Sequence, residues 1–262
     1  MAEKRNRMSK IIREEIFDGQ VIRLSLNAPK ANILDGEMMA ELQSELGMID
    51  DDVKLLQFTG TGDHFSFGAS VAEHTKENAS EMLRQFHELF KTMIELGAPT
   101  MALVSGQCLG GGMELAIFCN FLFLDETARM GQPEINLGVF APPASLILPL
   151  KVGQTKADEL LLTGRSMKPN EIMNSGLGTK LFDDRKSMKK GADAWVEKYI
   201  LPKSASSLRI AASASRTEFN RNLSTNLDGL ADYYINELME THDANEGIKS
   251  FLEKRKPQWK NK

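Results

Sequence analysis

Cysteine is scarce in this chain of 262 residues: there are two, Cys108 and Cys119. Two fall short of a disulfide framework, their spacing matches no metal motif, and a reducing cytoplasm suits them. Basic charge is not in excess either, since 32 Lys and Arg face 36 Asp and Glu for a formal net charge of -4. Without a positive field to attract a polyanion, nucleic acid is not expected as a partner, although a local basic cluster can still serve a small phosphorylated ligand. No apolar run approaches a membrane span. The opening Met1-Ala2-Glu3-Lys4-Arg5-Asn6-Arg7 has no apolar h-region and no small-residue cleavage site. A cytoplasmic protein with no membrane partner is expected.

Several site motifs are missing as well. His64, His74, His87 and His242 show neither HExxH nor HxH spacing and have no acidic cluster beside them, so no metal is expected. Gly60-Thr61-Gly62 is followed by Asp63, His64 and Phe65, where a dinucleotide fingerprint needs its third glycine. No P-loop is present.

What is there is an ordinary globular composition, 42% hydrophobic and 26% charged, in a chain long enough to bury a sizeable core. Ile11 to Phe17 and Gln20 to Asn27 are β-rich, and Asp18-Gly19 between them signals a two-residue hairpin. Asp35 caps a predicted helix to about Asp50, followed by a short strand over Lys54 to Thr59. Met82, Leu83, Phe86, Leu89, Phe90 and Met93 have the spacing of an amphipathic helix that stops at Gly97. Met101 to Val104 reads as a strand, Gly110 to Gly112 as a turn, Met113 to Cys119 as a helix and Phe121 to Leu124 as a buried strand. This alternation implies a layered α/β core. Beyond residue 150 strand signals nearly vanish apart from Gly178 to Phe182, and a composition shift near Pro202 divides 1–202 from a helical region, 203–262. The longest helical pattern, Leu230 to Arg255, is broken by the turn-like Asp243 to Gly247.

Three successive glycines, Gly110 to Gly112, between a strand and a helix leave backbone N–H groups unobstructed by Cβ atoms. The helix dipole there favours a negative oxygen such as the enolate of a thioester, and close packing of backbone on sheet is the alternative. Phe67-Gly68-Ala69 offers a second unobstructed backbone, so that one N–H from each loop makes a two-donor hole. Glu114 lies in the first helical turn past these glycines, and Glu134 follows the next strand. Two carboxyls from different loops can share a proton and orient one water. Read alone, Glu114 is equally a first-turn glutamate held by the dipole, and Glu134 a solvated loop charge. Gly106-Gln107-Cys108-Leu109-Gly110 competes as a nucleophile elbow of a thioester hydrolase, although the one downstream histidine is His242.

Together these segments resemble the crotonase, or enoyl-CoA hydratase/isomerase, family over nearly the whole chain. Phe65-Ser66-Phe67-Gly68-Ala69-Ser70 is similar to its Phe-Ser-Ala-Gly-Ala-Asp segment, and Gly110-Gly111-Gly112-Met113-Glu114-Leu115 to its Gly-Gly-Gly-Cys-Glu-Leu segment. The resemblance implies oxyanion donors at the N–H groups of Ala69 and Gly111 and a catalytic carboxyl on Glu114. Gly131-Gln132-Pro133-Glu134-Ile135 matches the segment of the second hydratase glutamate, Glu134. The implied fold is an α/β spiral of ββα units, with CoA and active site in 1–202 and 203–262 as a helical oligomerisation region of a homotrimer or homohexamer. Pro29-Lys30-Ala31-Asn32 resembles the early CoA-binding segment, and Phe251 to Lys256, with Lys254, the basic stretch near the CoA phosphates. The expected partner is an acyl-CoA substrate, with no cofactor beyond it. A CoA-thioester binding protein with the fold but no turnover is the reading from another class.

Two segments depart from the family pattern: Ser70 replaces an aspartate, and Phe140-Ala141-Pro142-Pro143-Ala144-Ser145 replaces a glycine-rich stretch. With Phe67 and Gly68, Ser70, Phe140 and Pro142 then line or support the acyl pocket. The two segments resemble the branch of the family that hydrates cyclohexa-1,5-diene-1-carbonyl-CoA in anaerobic aromatic degradation, against the general hydratases and isomerases of fatty-acid oxidation.

Overall fold

The structure, a computed structural model, describes residues 9–28 and 30–262. The Met1 to Arg7 opening and Pro29 of the CoA-segment reading lie outside the described residues. The chain begins with the expected hairpin, β1 (Ile11–Ile16) antiparallel to β2 (Val21–Leu26). Asp18 and Gly19 sit at its tip with φ of 54° and 77°, and the Gln20 N–H donates to the Phe17 carbonyl at 3.1 Å. Positive φ at both central positions is what a tight hairpin turn needs.

Then follow α1 (Gly36–Leu46), β3 (Leu55–Gly60), α2 (Ala79–Leu96), β4 (Thr100–Val104), β5 (Gln107–Leu109), α3 (Gly111–Phe118), β6 (Phe121–Asp125) and β7 (Arg129–Gly131). Asp35 caps α1 by accepting from the Met38 N–H, and Gly97 ends α2 in the left-handed region. The remainder comprises α4 (Pro142–Val152), α5 (Gln154–Thr163), β8 (Ser166–Met167), α6 (Pro169–Asn174), β9 (Lys180–Phe182), α7 (Arg185–Tyr199), α8 (Ala205–Ser215), α9 (Thr217–Asn236) and α10 (His242–Leu252).

Six strands form one sheet in the order β1-β2-β3-β4-β6-β9, parallel except for the β1 edge. Its central strands β2, β3 and β4 are buried along their whole length because both faces are covered, and the Arg23 Nε of β2 donates to the Gln57 Oε1 of β3 at 2.9 Å. Ile22, Leu24, Leu56, Phe58, Ala102 and Val104 point into the larger core with α1 and α2, whereas the alternate Val21, Leu55, Met101 and Leu103 pack on Met188, Ala192 and Val196 of α7. A second sheet, β5-β7-β8, stands beside it. The repeating unit is a strand of the large sheet, a short strand of the small one, then a helix: β4, β5, α3, and again β6, β7 and the helical segments beyond. This is the spiral of ββα units that the resemblance implied.

Three expectations need correction. The first helix stops at Leu46, short of Asp50, because beyond the Gly47 cap the Met48 and Ile49 N–H groups donate three residues back, to the Glu45 and Leu46 carbonyls, in place of four. Strands β5, β7 and β8 went unread at two or three residues each, too short to show an alternation. Asp243 to Gly247 is helical, within α10, and the break lies upstream at the 3-10 turn Leu238–Glu240, after which Thr241 caps α10 through the Ala244 N–H. Gly247 is there for contact: a Cβ would lie 2.0 Å from the Leu137 carbonyl oxygen.

Candidate active site

The site begins where two backbone loops touch. Gly68 has φ of 98°, and a Cβ on it would meet the Leu109 carbonyl oxygen at 2.8 Å and the Gly111 nitrogen at 3.2 Å. A Cβ on Gly111 would in turn stand 3.3 Å from the Ala69 nitrogen. Only glycine lets the loops approach this closely. Around Ala69 the neighbours are tied, with Leu34 N–H donating to the Gly68 carbonyl at 2.9 Å and Ser70 N–H to the Leu34 carbonyl at 3.3 Å. Asn32 steadies the same loop, its carboxamide donating to the carbonyls of Thr61, His64 and Phe65 and accepting from the Ala28 N–H. Within the described structure the Ala69 and Gly111 N–H groups have no acceptor. Gly111 is the first residue of α3, so its N–H also stands at the positive end of the helix dipole.

Glu114 lies one turn into α3 and is 4% exposed. Its Oε1 accepts the Ala144 N–H at 2.8 Å. Because α4 opens with Pro142 and Pro143, which carry no N–H, Ala144 supplies the first donor of that helix, and the unusual Pro-Pro segment thus aims α4 at Glu114. Glu134 sits on the 3-10 turn Pro133–Leu137 that follows β7. Its Oε1 rests so close to Gly110 that a Cβ there would lie 2.4 Å away. In the amide orientation that satisfies both groups, the Gln132 nitrogen donates to Oε1 and Oε2 of Glu134 at 3.2 and 3.0 Å.

Burial pushes the Glu114 carboxyl well above the usual carboxylate range, and the Glu134 charge adds to this, against the Ala144 N–H. Burial likewise pushes Glu134 up to about 7, opposed by a backbone hydrogen bond. The two titrate as a pair, so near neutrality they hold a proton between them.

Both carboxyls, Ala69 and Gly111 line one cavity of about 580 Å³, which Phe67, Gly68, Phe140 and Pro142 also border. It adjoins, across Phe67, Ala69, Val71, Pro133 and Leu137, an outer cleft of about 1340 Å³ walled by Ala31, Ser70 and the α10 end. Lys30 and Lys254 border neither; both are exposed with positive φ. Arg255, next to Lys254, lines the outer cleft instead while paired with Glu246 and Glu253.

Two polar residues of the inner cavity were not singled out from sequence as site residues. His74 shares its Nδ1 proton with the Ser70 carbonyl at 2.8 Å, which leaves Nε2 as an acceptor, and burial holds its pKa below the ordinary value. Tyr234, from α9, is 1% exposed and its hydroxyl has no partner among the described residues, at a cost of about 1–3 kcal/mol. Cys108 is far from the elbow reading: it is a fully buried residue inside β5, and burial drives its thiol up, away from thiolate.

The sequence profile of the family described as Enoyl-CoA hydratase/isomerase matches residues 17–262. The chain belongs to this family. A cyclohexa-1,5-dienecarbonyl-CoA hydratase of Thauera aromatica is 42% identical over 94% of this chain and 95% of that one. A short-chain-enoyl-CoA hydratase of Clostridium acetobutylicum is 30% identical over 91% and 94%. A crystal structure of an enoyl-CoA hydratase from Bacillus anthracis superposes with a TM-score of 0.75 at 27% identity, covering 97% of this chain and all of that one. The enzyme is a hydro-lyase of the enoyl-CoA hydratase type. Among the described residues, no helix is long and apolar enough to cross a membrane.

Proposed function

We propose that this hydratase acts on a cyclic dienoyl thioester, converting cyclohexa-1,5-diene-1-carbonyl-CoA to 6-hydroxycyclohex-1-ene-1-carbonyl-CoA in aromatic degradation, with no cofactor beyond the CoA of the substrate. The observation that carries the chemistry is the meeting, in one cavity, of two N–H groups without acceptors and two carboxyls that hold a proton between them. The ring substrate is supported by the Thauera aromatica relative and by Phe140, Ala141 and Pro142, which form part of the cavity wall.

The thioester oxygen accepts from Ala69 and Gly111 N–H. The ionised member of the Glu114–Glu134 pair takes a proton from water as its oxygen bonds to the ring carbon β to the thioester. The electron pair moves through the conjugated system onto the thioester oxygen, which the two N–H donors stabilise; such a donor is worth roughly 3 kcal/mol. The protonated member then returns a proton to the far carbon of the dienolate, and the remaining double bond settles beside the thioester carbon. One water is consumed and the pair again carries one proton, now on the other carboxyl, which passes back between the two before the next turnover. The outer cleft receives the CoA moiety, Ala31 and Ser70 lying along it. Residues 203–262 serve assembly into a homotrimer or homohexamer, supported by apolar side chains such as Ile210 at 70% exposure, and light scattering of the purified protein reads that mass directly.

Glu114→Gln and Glu134→Gln test the carboxyl pair. Each should lower the rate of hydration by at least about 10²-fold, the usual size of a general acid or base contribution. Near wild-type hydration in either variant would refute the two-carboxyl mechanism.

A further inference from the structure

Of the polar groups in the inner cavity that the proposed mechanism leaves idle, one has no partner among the described residues. Tyr234 reaches it from α9, at 1% exposure, and its ring packs edge-on against Phe140 with centroids 5.3 Å apart. Every other polar side chain of the wall has an assigned bond: Glu114 with Ala144 N–H, Glu134 with Gln132 and His74 with the Ser70 carbonyl. Among the described residues the Tyr234 hydroxyl has none, the two glutamates included. Buried donors are nearly always satisfied, so this one takes its acceptor from whatever fills the cavity.

We propose that Tyr234 is a further catalytic residue, whose O–H donates a hydrogen bond to the oxygen atom that is added to, or removed from, the acyl group between Glu114 and Glu134. The assignment rests on the hydratase reading above. The titratable groups facing the cavity are Glu114 from α3, Glu134 from the 3-10 turn after β7 and His74 from the 3-10 turn Val71–His74; α2 and α4 present only apolar residues. Burial disfavours a negative charge on the phenol, and repulsion from Glu134 and Glu114 acts in the same sense, so Tyr234 keeps its proton and remains a donor. A neutral donor suits an oxygen that carries partial negative charge while its C–O bond forms or breaks, because its own proton need not move. The glutamates accept hydrogen bonds when ionised; the phenol supplies the opposite polarity.

Tyr234→Phe removes the hydroxyl and keeps the ring against Phe140. Because the lost group is unpartnered in the empty enzyme, the variant should melt at or above the wild-type temperature. Its kcat for hydration of cyclohexa-1,5-diene-1-carbonyl-CoA should fall about tenfold or more with KM within about twofold, the signature of a bond made chiefly in the transition state. A kcat close to wild type overturns the proposal. So does a fall in kcat accompanied by a lower melting temperature, which marks a structural role. A wild-type enzyme that hydrates no acyl-CoA overturns this assignment together with the hydratase reading, whereas an active wild type with an unaffected variant overturns the role of Tyr234 alone.

Discussion

Glu134 is the residue at which folding and chemistry conflict. Its carboxyl ionises near 4.5 in an unfolded chain and at about 7 in the folded one. Between those values the folded chain binds the extra proton, so its contribution to stability is fully present below 4.5 and is lost as pH rises through 7. Glu134→Gln should therefore raise the melting temperature more at pH 8 than at pH 5, which scanning calorimetry at the two values measures. Catalysis needs the opposite charge state in part, because one member of the pair must be ionised to take the proton from water. Hydration should fall as pH drops below about 7, and a rate profile flat from pH 5 to 8 would separate Glu134 from the rate. Neither shift was legible in the sequence, where Glu134 reads equally well as a solvated loop charge. Its environment is made by Gly110 and Gln132, and although both stand in motifs, neither motif states that the two enclose the carboxyl.

At the scale of elements, the glycines show where pattern reading succeeds and where it misleads. Gly110 to Gly112 and Gly68 announced an open backbone, and they are the contact points of the two loops. Gly247 announced a turn and is instead the place where α10 presses on the 3-10 turn carrying Glu134. Helix-breaking propensity and close packing leave the same letter in the sequence, and only the neighbour distinguishes them. Gly247→Ala should push Leu137 away, destabilising the fold by about 1–3 kcal/mol and lowering kcat by displacing Glu134. Denaturant melts and initial rates check both; an unchanged kcat would show that α10 and the glutamate turn are mechanically independent. The Pro142-Pro143 pair was legible as a departure without a reason. Its reason is the Ala144 N–H bonded to Glu114, which no local pattern states.

On the scale of the whole molecule, the spiral of strand, strand and helix brings Ala69, Gly111, Glu114 and Glu134, which span 66 positions of sequence, to one cavity. The hairpin, the main strands and α2 were readable because each buries enough apolar side chains to show a period. The small sheet was not, since its three strands are too short. Tyr234 and Arg255 come from the helical tail, far in sequence from the motifs, and their place at the two clefts depends on how α9 and α10 fold back over the core. The cavity wall of Phe140, Pro142 and Tyr234 suits a ring-shaped acyl group beside the attacking water. The direct measurement is to incubate the wild-type enzyme separately with cyclohexa-1,5-diene-1-carbonyl-CoA and crotonyl-CoA and to separate the products by chromatography with mass detection. A ring-specific hydratase gives a product one water heavier from the cyclic diene and little from crotonyl-CoA; hydration mainly of crotonyl-CoA, or release of free CoA, would contradict that role.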